Sequence, residues 1–227
     1  MLPRVIVHVA VSADGRIDHF SPDLGQFYGV IGEWNEDTTL AGSETILRAM
    51  AAEPRDDDAS DPQAPAADPT DKRPLLVVPD SRGRVRTWSA LRKAGFWRAG
   101  VALVTRATPH AYLEYLRTYG VDHLLAGDDR VDLRFALEEL NARYGVRTVR
   151  VDGGGNLNGV LLRAGLVHEV SVLVHPCLVG GTSPSSFFRA PDLVAAKGVI
   201  PMQLITAEPR EGDIVWLRYT VGTSATR

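Results

Sequence analysis

Cysteine is almost missing from this chain, with only Cys177 among 227 residues. A lone thiol cannot close an intrachain disulfide and cannot build a multi-cysteine zinc site. That excludes disulfide-stapled secreted scaffolds and the zinc deaminases, whose chemistry needs His/Cys/Cys ligands. It fits a reducing cytoplasm, the expected location. Long apolar runs are missing as well: no stretch approaches the ~18 residues of a spanning helix, and the N-terminal MLPRVIVHVAVSADG lacks a small-residue cleavage pattern. Nor is there a surplus of positive charge. The 25 Lys and Arg stand against 28 Asp and Glu, a net charge of −3, so neither nucleic acid nor an anionic membrane is an expected partner.

What is present is ordinary globular material, 44% hydrophobic and 23% charged, enough for a sizeable core and without an internal repeat. Val5 to Val11 form a continuous β-branched run that stops at SADGR, which predicts a strand buried on both faces. From Asp23 to Met50 the pattern predicts helix, short strand and helix around a glycine turn at Gly42. Between Pro54 and Arg73 proline, alanine and aspartate displace nearly every large apolar group, so a solvated acidic insert is expected over residues 54–73. Its Asp56, Asp57 and Asp58 lack the glycine and terminal glutamate of a calcium loop.

Beyond the insert, strands at PLLVVP, VALVT, DHLLA, VRTVRV and VSVLVH alternate with helices at Pro109–Tyr119, Leu133–Tyr144 and Leu157–Ala164. This alternation predicts an α/β fold with a mostly parallel central sheet flanked by helices. GVIPMQLITAE and GDIVWLRYTV, joined by PREGD, break it and predict an antiparallel C-terminal hairpin at one edge.

The sharpest chemical feature is VRTVRVDGGGNLNGVLLRAGL, a strand running through three glycines straight into a helix. Glycines let the main chain approach a ligand, and the free amides and partial positive charge of a helix start favour a phosphate or pyrophosphate. The dinucleotide fingerprint GxGxxG fails at Asn158, and the P-loop lysine is absent. A tight turn without a ligand is the alternative.

Three further segments follow predicted strands in the same sense, which suggests that they line one crevice. They are SADGRID with its Asp14–Gly15 turn pair, AGSETIL with Thr45, and VVPDSRGRVR with Ser81, Arg82 and Arg84. His8, inside a strand, reads as a core histidine with satisfied hydrogen bonds, and His175 as packing.

The order SADGRID, GSET, VVPDSRGRV, VDGGGNLNGVLLRAGLVHEVSVLVHPCLVGG resembles the riboflavin-biosynthesis reductase family, stand-alone or as the C-terminal half of a bifunctional deaminase-reductase. The resemblance covers nearly the whole chain apart from the insert. It implies a dihydrofolate-reductase-like fold, a single reductase domain over 1–227 and a homodimer. It also implies NADPH-dependent reduction of the ribosylamino group of a pyrimidine nucleotide 5′-phosphate to ribitylamino.

Under that resemblance Gly153, Gly154, Gly155, Asn156 and Leu157 hold the cofactor pyrophosphate. Thr45 and Ser81 are similar to positions that contact NADPH, and Val11 backs the nicotinamide. Asp152 stands where the family has a substrate-binding glutamate, and Ala49 and His168 replace family aspartates. The hydride comes from the cofactor, so no catalytic side chain is named. Arg84 is the candidate for the substrate phosphate, and Arg106, just past VALVT, for the adenosine 2′-phosphate. The alternatives are a reductase of another heterocycle, such as a dihydropterin, or a non-catalytic nucleotide-binding dimer.

Overall fold

The computed structural model describes residues 1–51, 70–182 and 185–222. Residues 54–69 of the expected acidic insert lie outside the described residues, and Thr70–Arg73 lie within them.

The elements in chain order are β1 (Arg4–Ser12), α1 (Leu24–Gly29), β2 (Thr38–Ala41), α2 (Ser43–Ala49), β3 (Leu75–Pro79), α3 (Trp88–Lys93), β4 (Ala99–Val104) and α4 (His110–Thr118). They continue with β5 (Asp122–Leu125), α5 (Leu133–Tyr144), β6 (Thr148–Asp152), α6 (Gly155–Arg163), β7 (Glu169–His175), β8 (Met202–Pro209) and β9 (Val215–Val221). The chain forms two compact units, one of Met1–Pro3 and Glu36–Val149, the other of Arg4–Asn35 and Arg150–Arg227.

In the first unit β2, β3, β4 and β5 are neighbours in that order and all parallel. Their apolar side chains meet those of the helices that connect them, with Leu76, Val78, Ala102 and Val104 packed against Ile46, Trp88, Leu91, Tyr112 and Leu116. Helix α5 has both ends written in sequence. Asp132 accepts from the Phe135 amide at 3.0 Å, and Gly145 closes the helix in the left-handed conformation at φ 68°. The six-residue α3 was not expected. Its start, Trp88-Ser89, is buried against the sheet, whereas short helices leave little periodicity to read.

In the second unit the strand order is β6-β1-β7-β9-β8. β1 and β7 are parallel, and β7–β9 and β9–β8 are antiparallel, as the C-terminal hairpin predicted. Ile6, Phe27, Val30, Trp34, Leu173, Ile214 and Trp216 form its core. A carboxylate sits inside this unit: Glu169, 1% exposed, accepts from Arg4, from Trp34 Nε1 at 3.0 Å and from Arg218 Nε at 2.8 Å. Burial raises its pKa, but the bonds from Arg218 and Trp34 and the Arg218 charge outweigh that, so it lies below the ordinary carboxylate value. β8 is exposed along most of its length, including Met202, Leu204 and Ile205.

Candidate functional site

In the first unit, the loops that leave the C-terminal ends of β2, β3 and β4 are tied together. Arg84, after β3, donates to Glu44 Oε1 at 2.7 Å and to Ser43 Oγ at 3.3 Å at the start of α2, next to Thr45. Thr108, after β4, donates from its hydroxyl to the Ser81 carbonyl at 2.9 Å. Thr45 is the third residue of α2, whose preceding residue is Gly42 with no side-chain cap, so Thr45 does not serve as the cap. Arg106 pairs with Asp128 at 3.1 Å with both side chains 76% exposed, a surface pair that holds neither strongly. Three of the predicted positions, Thr45, Ser81 and Arg84, thus stand on mutually bonded loops. Gly83, at φ 65°, lets this loop turn directly over the Tyr112 ring, where a Cβ would be 2.6 Å from Cγ.

In the second unit Val11 is buried within β1. The turn after β1 is organised by Asp14, which accepts from Ser12 Oγ at 2.6 Å and from the amides of Val179 at 3.1 Å and Gly180 at 2.7 Å. Those bonds hold its carboxyl well below the ordinary range. Asp14–Gly15 is therefore a turn, with Gly15 at φ 77°, and also an anchor for the chain after β7.

β6 ends at Asp152, and α6 starts at Gly155, two residues before the predicted helix start at Leu157. The correction has a simple cause. Glycine reads as a helix breaker in sequence, yet Gly155 lies inside the first turn, where only space decides. Gly154 precedes the helix with no side-chain cap, and the amides of Gly155, Asn156 and Leu157 have no acceptor among the described residues. That is the donor set an anion needs, and it fits a cofactor diphosphate on an observation of this chain alone.

Two glycines of this segment, Gly155 and Gly159, have a packing role. A Cβ on Gly155 would overlap the Ser186 carbonyl oxygen, and one on Gly159 the Arg189 carbonyl oxygen, so these two glycines admit a passing strap, Ser185–Arg189, onto α6. Gly155 is buried and Asn156 exposed.

Sequence reading passed over two side chains here. Arg150, 3% exposed, sits two residues before Asp152 on the same face of β6 and bonds its carboxylate at 3.2 Å. A cation between the two valines of TVRVD was the available signal. Asn158, wholly buried, donates from Nδ2 to the Gly153 carbonyl at 3.2 Å and to the Phe187 carbonyl at 2.9 Å, while its Oδ1 has no partner. Close by, burial and then the Asp152 charge raise the pKa of the Tyr28 hydroxyl.

The two histidines are structural. His8 is 1% exposed between Ser171 Oγ at 3.0 Å and the Phe27 carbonyl at 2.9 Å, and burial lowers its pKa to about 3. His175 accepts from the Asp23 amide at 3.0 Å.

The sequence matches the family model described as the RibD C-terminal domain over residues 3–215. The chain belongs to that family. Among relatives of the RibD C-terminal domain, it is 28% identical over 233 residues to the 2,5-diamino-6-ribosylamino-4(3H)-pyrimidinone 5′-phosphate reductase of Methanothermobacter thermautotrophicus, covering 97% of this chain and 99% of that protein. The same-named reductase of Archaeoglobus fulgidus is 31% identical over 196 residues, covering 80% of this chain and 84% of the other.

Among solved structures Acinetobacter baumannii RibD superposes with TM-score 0.71 at 20% identity, over 97% of this chain and 58% of RibD. The dihydrofolate reductase of Enterococcus faecalis gives TM-score 0.50 at 11% identity, with 97% of each chain covered. The fold is therefore the dihydrofolate-reductase-like α/β fold expected from the sequence. No helix among the described residues is long and apolar enough to cross a membrane.

Proposed function

We infer that this chain is the NADPH-dependent reductase of riboflavin biosynthesis, acting on a ribosylamino-pyrimidine nucleotide 5′-phosphate and yielding the ribitylamino product. The observation that carries the reading is the uncapped start of α6 directly after β6, where the amides of Gly155, Asn156 and Leu157 have no acceptor among the described residues. The names of the archaeal relatives, matched over most of both chains, give the substrate class. The family match runs through both units, which supports one reductase domain.

NADPH, when bound, supplies a hydride, so the protein's work is binding, orientation and exclusion of water. The main chain at Gly153–Leu157 holds the diphosphate. Val11 would back the nicotinamide, and Thr45 and Ser81 would add polar contacts to the cofactor. Arg106 takes the 2′-phosphate at the cost of a weak surface pair with Asp128. Asp152, its carboxylate oriented by buried Arg150, accepts from substrate hydroxyls or ring amines. Arg84 turns from Glu44 to the 5′-phosphate. The lone cysteine suits a cytoplasmic enzyme.

The protein is expected to act as a homodimer, since the exposed apolar side chains of the edge strand β8 form a surface that a second copy would cover.

NADPH consumption followed at 340 nm tests the activity with three substrates: the phosphoribosylamino-pyrimidinone, its uracil counterpart and dihydrofolate. Turnover of either phosphoribosyl compound is expected. Turnover of dihydrofolate alone would replace this reading with a pterin reductase, and NADPH binding without turnover of any would make the chain a binding module.

A further inference from the structure

The geometry points to Arg189 as the cationic half of a diphosphate clamp, closed over the start of α6 by the strap Ser185–Arg189. The inference rests on the reading of α6 as the cofactor's anchor and adds a residue that the resemblance did not supply.

The strap is fixed at both ends. On one side the Ile17 amide donates to the Ser185 carbonyl at 3.1 Å, and Arg16 and Ser186 form an antiparallel bridge. On the other, the Arg189 amide donates to the Gly155 carbonyl at 3.0 Å, and Asn158 Nδ2 holds the Phe187 carbonyl. Because Gly155 and Gly159 lack side chains, the strap backbone lies directly on one face of α6. The Arg189 stem lies on Gly155 itself, its Cγ 2.8 Å and its Cδ 3.1 Å from where a Cβ would stand. The side chain is thereby held at the first turn of the helix.

A guanidinium at that place is electrostatically wrong for the protein alone. The start of a helix carries about half a positive charge, and like charges there raise the energy. No carboxylate among the described residues pairs with Arg189, and the residue is exposed. An anion bound between the helix amides and the guanidinium reverses the sign of both interactions.

A second observation points the same way. The Oδ1 of Asn158 is buried without a donor, 3.1 Å from the Cβ position of Gly153, and so faces the bend itself. A buried acceptor without a donor carries a desolvation cost that a ligand hydroxyl or amide would remove. An anionic ligand that also bears hydrogen-bond donors, such as a dinucleotide diphosphate with its ribose hydroxyls, satisfies both groups.

Fluorescence titration of the full chain with NADPH and with NADH tests the clamp, since both carry the diphosphate and only one carries the 2′-phosphate. Arg189→Ala is expected to raise both dissociation constants about tenfold or more, with an unchanged thermal midpoint, and Arg189→Lys to restore part of the loss. Gly159→Ala, which pushes the strap off the helix while leaving Arg189 in the sequence, is expected to weaken both ligands as well. Wild-type affinity in Arg189→Ala overturns the clamp, and so does a loss confined to NADPH, which would put the guanidinium on the 2′-phosphate. A wild-type chain that binds neither dinucleotide overturns instead the underlying reading of the site.

Discussion

Buried His8 makes the protein's stability depend on pH in one direction. Burial holds its folded pKa at about 3, against an ordinary 6.5. Above about pH 6.5 the ring is neutral in both states, and its contribution is fully present. As pH falls below that value, the unfolded chain takes up a proton that the folded chain refuses. Stability therefore drops by up to ~1.4 kcal/mol per pH unit towards the folded pKa. Urea denaturation at pH 7.5, 5.5 and 4.5 should show this slope, and His8→Gln should make it shallower by that amount; equal slopes in the two proteins would refute the assignment.

Such residues were partly legible beforehand. A histidine inside VIVHVAV reads more readily as a core histidine than as a catalytic one, whereas Arg150 and Asn158 gave weaker signals. Asn158 depends on the Phe187 carbonyl far along the chain, and Arg150 on the carboxylate of Asp152, a pairing that neither periodicity nor a local motif encodes.

At the scale of elements, legibility followed the ends. Helix α5 matched its predicted span, Leu133–Tyr144, because its cap and its terminating glycine are local chemistry. Replacing Asp132 with Ala leaves the Phe135 amide without its acceptor and should cost ~1 kcal/mol, measurable as a lowered urea midpoint with an unchanged m-value. A midpoint equal to wild type would mean that the cap adds nothing here.

Helix α6 resisted the same treatment because the reasons for its glycines lie outside it. Gly155 and Gly159 are set by a strap that comes some thirty residues later, so from sequence alone the run GGGNLNG looked like a bend rather than a bend plus a packing face. Short α3 was missed for want of a full period.

For the whole molecule, the alternation of strands and helices and the closing hairpin were enough to reach the fold, while the long-range ties that shape the site were not. The edge strand β8 carries the prediction that belongs to this scale. Leu204→Asp together with Ile205→Lys puts charge on an exposed apolar strand without touching the described core. Light scattering after gel filtration should register a shift from dimer to monomer with the fold retained by circular dichroism. A wild-type chain that runs as a monomer at micromolar concentration would remove the basis for that surface as an interface.

The division of the second unit between Arg4–Asn35 and Arg150–Arg227 bears on how the protein is made. β1 leaves the ribosome before Glu36–Val149, and β7, the parallel neighbour it pairs with, emerges only after the whole of that segment has been translated. At ~5–20 residues per second, this very apolar strand waits several seconds or more without its neighbour. Nascent-chain chaperones therefore have a long claim on Arg4–Ser12, and slowing translation within the first unit should lower the yield of folded protein more than slowing it after β7.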